Sequence, residues 1–167
     1  MRQSPALERV RAALRRHGVN TEILEFPQGT RTARDAAEAI GTAVGQIVKS
    51  LVFVAGDEPV LILVSGAHLA DTEKLGRLLG TPVQRADADV VRQATGFAIG
   101  GVAPVGHIAP LTTLIDENLL RYEVVYAAAG TPFAVFPITP ADLVRVTGGR
   151  VADVVVDGRS ADGRSAT

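Results

Sequence analysis

The sequence predicts an α+β (mixed α/β) domain, with helices flanking a mixed or antiparallel sheet. Three observations carry this. Strand-like segments outnumber helix-like ones, and several follow one another directly. Each helix-like segment opens on a residue suited to capping, so helices and strands separate cleanly. A regular βαβ array would instead alternate strand and helix throughout.

Taken in order, Ser4 is an N-cap with Pro5 at the first helical position. Leu7, Val10 and Leu14 then recur at helical spacing up to Gly18. "TEILEF", 21–26, alternates as a strand does. Thr32 and Asp35 form a capping pair for a short helix through Ile40. The run from "QIVKSLVFVAG" to "PVLILVSG" predicts two buried strands, at about 50–55 and 59–65, joined by a turn at Gly56-Asp57-Glu58-Pro59. Asp71 caps a helix through Leu75, Leu78 and Leu79 to Gly80. "TPVQRA" is a short strand, and Asp87 caps a helix that stops at Gly96. "LTTLID" (111–116), "EVVYAAAG" (123–130) and "FAVFPI" read as strands, the last weakened by Pro137. Thr139-Pro140-Ala141-Asp142 starts a final helix. We expect one domain over 1–156, and a disordered tail at 157–167, where "DGRSA" occurs twice.

Composition narrows the function classes. The chain has no cysteine, which excludes disulfides, thiolate metal sites and cysteine nucleophiles. No apolar run reaches a membrane span and the N-terminus lacks a signal-peptide core, so a cytoplasmic protein is expected. The net charge of −1 does not announce a nucleic-acid binder. Arg2, Arg9, Arg11, Arg15 and Arg16 nevertheless gather near the N-terminus against Glu8 alone. They form either a solvated helix face or a local contact to RNA.

Chemistry concentrates at two places. "GFAIGGVAPVGHIAP", 96–110, joins glycine freedom to proline stiffness and is poor in reactive side chains. Such a loop works through backbone N–H donors suited to a carbonyl oxygen, an oxyanion or a phosphate, or else is a tight structural turn. It matches neither the dinucleotide fingerprint nor the P-loop. The second place is Lys49, in "QIVKSLVF", one of only two lysines beside fifteen arginines. It is either an edge residue reaching water or a cation aimed into a pocket. Lys74 reads as surface. His17, His68 and His107 have no metal-ligand spacing, so neither metal nor other cofactor is expected, and no G-x-S-x-G elbow is present.

Together these pieces resemble the YbaK/ProX family, free-standing relatives of the prolyl-tRNA synthetase editing domain. "IVKSLVF", a second apolar strand, a D-x-x-K-L helix, "GFAIGGVAPVGH", "AAAG" and a T-P-A-D-L helix carry the likeness over roughly residues 5–155. The resemblance implies a mixed, partly barrel-like sheet surrounded by helices. It also implies hydrolysis of mischarged aminoacyl-tRNA, with alanine or cysteine on proline tRNA as the expected substrate. The expected partners are the acceptor end of tRNA and an aminoacyl-tRNA synthetase. By position it gives Lys49 as the site lysine, Gly100, Gly101 and Pro104 as the backbone loop, and Gly130 as the later turn glycine. Ser50, Phe97, Thr131 and Phe133 complete the expected binding residues; for Phe133 a core role is the alternative. Many relatives carry an Asp or His after that glycine, whereas Thr131-Pro132-Phe133-Ala134 offers only a hydroxyl. A non-catalytic module binding aminoacyl-tRNA or a nucleotide in the same cleft is the alternative function, and a regulatory or assembly domain a third.

Overall fold

The computed structural model describes residues 4–30 and 32–158, so the expected tail lies outside the described residues from 159 onward. The elements are α1 (Pro5–Arg16), β1 (Leu24–Glu25), α2 (Ala33–Ile40), β2 (Ile47–Ala55), β3 (Glu58–Ser65), α3 (Thr72–Leu79), β4 (Val83–Arg85), α4 (Ala88–Thr95), β5 (Thr112–Asp116), β6 (Val125–Ala128), β7 (Ala134–Ile138), α5 (Pro140–Thr147) and β8 (Arg150–Ala152). Short 3-10 turns at Val44–Gln46 and Glu117–Arg121 precede β2 and follow β5. Ser4, Thr32, Asp71, Asp87 and Thr139 cap α1 to α5 as the sequence predicts, each side chain accepting a first-turn N–H.

The sheet is mixed, in the order β1-β7-β6-β2-β3-β5-β8, with β4 added to β2. Among the described residues β1 and β8 do not pair with each other, so the path is open at its ends. β3 sits near the middle and is buried on both faces. Leu61 and Leu63 join a core with Val10, Leu14, Phe97, Ile115, Phe136 and Leu143, beneath α1, α4 and α5. Val60, Ile62 and Val64 join a second core with Phe53, Leu75 and Leu114, on the α3 side.

Three differences from the sequence reading have physical causes. β2 begins at Ile47, because Ile47 and Val48 pair in parallel with Tyr126 and Ala127, distant partners that no local pattern reveals. The 21–26 segment keeps only Leu24–Glu25 as strand, since β7 offers it just Val135 and Ala134. Pro137 is tolerated in β7 because β1 has already ended there. The short β8, paired in parallel with β5, was not expected.

β2 shapes the centre of the molecule. Along one edge β3 pairs with it from Val48 to Ala55. Along the other, β6 meets only Ile47–Val48 and β4 only Phe53–Ala55. Between these two partners the sheet opens beside residues 49–52.

One buried carboxylate ties the end of β3 to the end of β5. Asp116 is fully buried; Oδ2 accepts the Ser65 N–H at 3.0 Å and Oδ1 accepts the Asn118 N–H at 2.9 Å and its side-chain amide at 2.8 Å. Asp116→Ala strands these donors and is expected to cost about 3 kcal/mol, read as a lower urea midpoint with an unchanged slope.

Candidate active site

The opening in the sheet holds a hollow of about 360 Å³. That is at the small end of the range for ligand sites. Lys49, Ser50, Leu51 and Val52 form its β2 wall. Gly100 and Val102 of the glycine loop close one side, Arg85 and Ala86 another, and Thr30, Thr32 and Ala33 a third. Lys49 and Ser50, adjacent on a strand, point to opposite faces, yet both line the hollow because it occupies the gap between the faces. Among the described lining residues there are two cations, Lys49 and Arg85, and no carboxylate or imidazole. The hollow therefore favours negative charge and supplies no side-chain general base of the usual kind.

Lys49 is half-buried and its ammonium donates to the carbonyl of His68. That carbonyl is fixed from behind: the His68 N–H returns to the Ser65 carbonyl at 3.0 Å, and Ser65 is held by Asp116. Burial pushes the Lys49 pKa below the ordinary lysine value; the Asp116 carboxylate opposes this and the Arg85 guanidinium adds to it. One N–H of the ammonium is spent on His68, which leaves two for a ligand.

The glycine loop divides its labour. Gly100 has φ +92° and open space where a Cβ would be, so glycine is required there by backbone conformation. Its N–H has no hydrogen-bond partner among the described residues. Gly101 is different: its N–H donates to the Ala98 carbonyl at 3.0 Å, and it does not line the hollow. A Cβ on Gly101 would lie 2.7 Å from Thr131 Cα, so its role is close approach to the 130–131 turn, not the donor role expected for it. Gly130 in turn packs on the backbone of Ala6, where a Cβ would come within 2.9 Å of the Ala6 carbonyl oxygen.

The remaining expected residues stand behind or beside the hollow. Phe97 and Pro104 are buried and line no part of it. Thr131 Oγ1 accepts the Phe133 N–H at 3.1 Å, a turn-forming bond. Phe133 is neither a pocket wall nor a core residue: it is half-exposed, outside the hollow, its ring against Gly29. His107 is bonded through Nε2 to the Ala103 carbonyl at 2.7 Å; burial lowers its pKa and it faces Phe97, not the hollow.

Two arginines have roles the sequence did not assign. Arg9 donates to the Gly96 carbonyl at 2.7 Å and the Gly106 carbonyl at 3.2 Å, and its guanidinium lies 4.5 Å from the Phe97 ring centre. It clamps both ends of the loop, so its guanidinium is engaged within the fold and not simply part of a solvated helix face. Arg85 ends the weak "TPVQRA" strand, lies over the Phe53 ring and has no ion-pair partner among the described residues. Only the pairing of β4 with β2 brings it to the hollow.

The geometry has three measurable consequences. The folded-state pKa of Lys49 lies below its unfolded value, so between the two the unfolded chain holds more protons and stability rises with pH. Lys49→Met is thus expected to melt no lower than wild type at pH 7, with wild type gaining on it as pH rises toward 10; thermal melts at both pH values check this. Arg9→Met is expected to lose about 2 kcal/mol through two charge-assisted bonds and the ring contact, measured by urea unfolding. Gly101→Ala, which meets backbone, should be the more damaging of the two loop changes, and Gly100→Ala, which meets only a conformational penalty, the milder, by the same measurement.

Comparison with known proteins agrees with this architecture. Residues 27–146 match the family model described as the aminoacyl-tRNA editing domain. A solved structure described as a candidate trans-editing enzyme for prolyl-tRNA synthetase superposes with a TM-score of 0.88 at 49% identity, over 93% of this chain and 99% of that one. The Bacillus subtilis protein YwhH is 30% identical over 139 residues, covering 83% of this chain and 88% of its own. EbsC of Enterococcus faecalis, named as a candidate Cys-tRNA(Pro)/Cys-tRNA(Cys) deacylase, is 26% identical over 125 residues, 74% of this chain and 76% of its own. With the matched segment spanning most of the chain and enclosing the opening beside β2, the protein belongs to the aminoacyl-tRNA editing domain family.

Proposed function

We propose that this chain is a cytoplasmic trans-editing deacylase, acting as one unit over residues 1–156. It hydrolyses the ester between a small amino acid, alanine or cysteine, and the acceptor end of proline tRNA. Prolyl-tRNA synthetase, whose errors it would correct, is its protein counterpart. The observation that carries this reading is that Lys49 and Gly100 line one small hollow, with no acid or imidazole among its described lining residues.

In this reading a water oxygen attacks the ester carbonyl carbon, and the carbonyl oxygen becomes an oxyanion. The Gly100 N–H and the Lys49 ammonium stabilise that charge, each supplying roughly 2–4 kcal/mol in the transition state. The carbon–oxygen bond to the ribose then breaks. The ribose oxygen leaves with a proton, and the amino acid departs as a carboxylate after releasing its own. With no carboxylate or imidazole among the described lining residues, the water is held by backbone and by the substrate's neighbouring ribose hydroxyl. Gly101 and Gly130 keep the loop and turn in place, and Arg85 at the mouth meets a phosphate of the acceptor end.

A panel of mischarged tRNAs, assayed with wild type and Lys49→Ala in parallel, tests the reading. Wild type is expected to clear alanyl- or cysteinyl-tRNA for proline, and Lys49→Ala to be slower by about 100-fold or more with its fold intact by circular dichroism. Wild type that binds an aminoacyl-adenosine analogue but hydrolyses nothing would overturn it in favour of a non-catalytic binding module. Arg85→Gln is expected to raise KM with little change in kcat and to flatten the salt dependence of kcat/KM.

A further inference from the structure

Lys74 reads as a surface residue in the sequence, but the fold ties it down. Asp71 caps α3 through the Glu73 and Lys74 N–H groups, which places Lys74 in the first turn of that helix. From there its ammonium donates to Asp153 Oδ2 at 2.8 Å, the Val155 carbonyl at 2.7 Å and Asp157 Oδ1 at 2.6 Å. Three donors meet three acceptors, which a compact ammonium can do at once. Hydrogen bonds to Asp153 and Asp157 raise its pKa above the ordinary lysine value, so the tie stays charged at neutral pH. All three acceptors lie in one short segment, 153–157, just after β8.

That segment runs along the loop between β3 and α3. The Val156 N–H donates to the Leu69 carbonyl at 2.9 Å, and the Asp71 N–H to the Val154 carbonyl at 2.8 Å. Ala70 pairs with Val155 as an isolated antiparallel bridge, and Val154 and Val155 are buried in the core that holds Leu75. The segment is therefore a strap over residues 69–71. The carbonyl that accepts the Lys49 ammonium belongs to His68, in the peptide unit that joins it to Leu69. Its near side is set by the His68 N–H bond to the Ser65 carbonyl, and its far side by the strap. We infer that Lys74 is a positioning residue for Lys49: by clasping the strap it fixes the 68–71 loop, and with it the carbonyl that holds the Lys49 ammonium at the hollow. The two lysines of the chain then belong to one device.

A double-mutant cycle tests this, and its kinetic part rests on the deacylase reading. Lys74→Met is expected to lower kcat by about tenfold on a mischarged tRNA that wild type clears, with KM nearly unchanged. In a Lys49→Ala background the same substitution should cost nothing further, because the group it positions is gone. Asp157→Asn weakens one of the three ties at the exposed end of the strap, so the fold survives, and it should repeat the pattern at about twofold. Equal losses in both backgrounds would make the strap a general brace and overturn the proposal. A second measurement needs no substrate. In Lys74→Met the sole lysine is Lys49, so lysine labelling gives one side-chain spectrum by NMR. The ε protons of Lys49, inequivalent while its ammonium is held, should merge toward a single shift in that variant. Protons that stay as in wild type would overturn the proposal whatever the reaction. If they merge while wild type clears no ester of the panel, the deacylase reading falls and the hold of Lys74 on Lys49 stands.

Discussion

β2 is held along the whole of one edge by β3, but along the other only at its two ends, by β6 and then by β4. The four residues between those ends have core on one side and a hollow on the other. This interruption explains why a lysine can sit in the apolar run "IVKSLVF" without breaking the sheet. It also explains why neighbouring side chains that point to opposite faces reach the same space. A strand paired on both edges throughout would have buried Lys49 or expelled it.

The charge at that place is held by a relay of ordinary bonds. The fully buried Asp116 fixes the Ser65 N–H, the turn after Ser65 sets the His68 carbonyl, and that carbonyl takes the Lys49 ammonium. Burial works against the ammonium while the Asp116 carboxylate works for it. The cation is thus kept partly out of water, where its attraction for an opposite charge is stronger than at the surface.

Much of this was legible in the sequence, for definite reasons. The five helix caps are local events, each decided within four residues, and all five side chains cap as read. Lys49 stood out against its apolar neighbours, and the glycine–proline loop by its composition, and both border the hollow. What could not be read depends on partners distant in the chain. Gly100 and Gly101 look alike in sequence, but only contact with Thr131 separates conformational freedom from close approach. Arg9 looks like its neighbouring arginines until the loop some ninety residues later folds onto it. Arg85 sits in a weak strand whose value comes from the β2 edge it joins. Phe133, read as pocket or core, lies outside both because the 130–133 turn directs it outward.

Gly101 lies against the backbone at Thr131, and Gly130 against that of Ala6, so glycine loop, turn and α1 are stacked main chain on main chain. Backbone atoms are the nearest neighbours at both contacts. The clearance on this flank is consequently a constant of the scaffold, insensitive to residue exchange at its surface. Descendants that needed a roomier or tighter chamber would have to remodel the strand-borne and helix-borne wall at Val52, Val91, Ala128 and Val135, leaving the stacked flank as inherited.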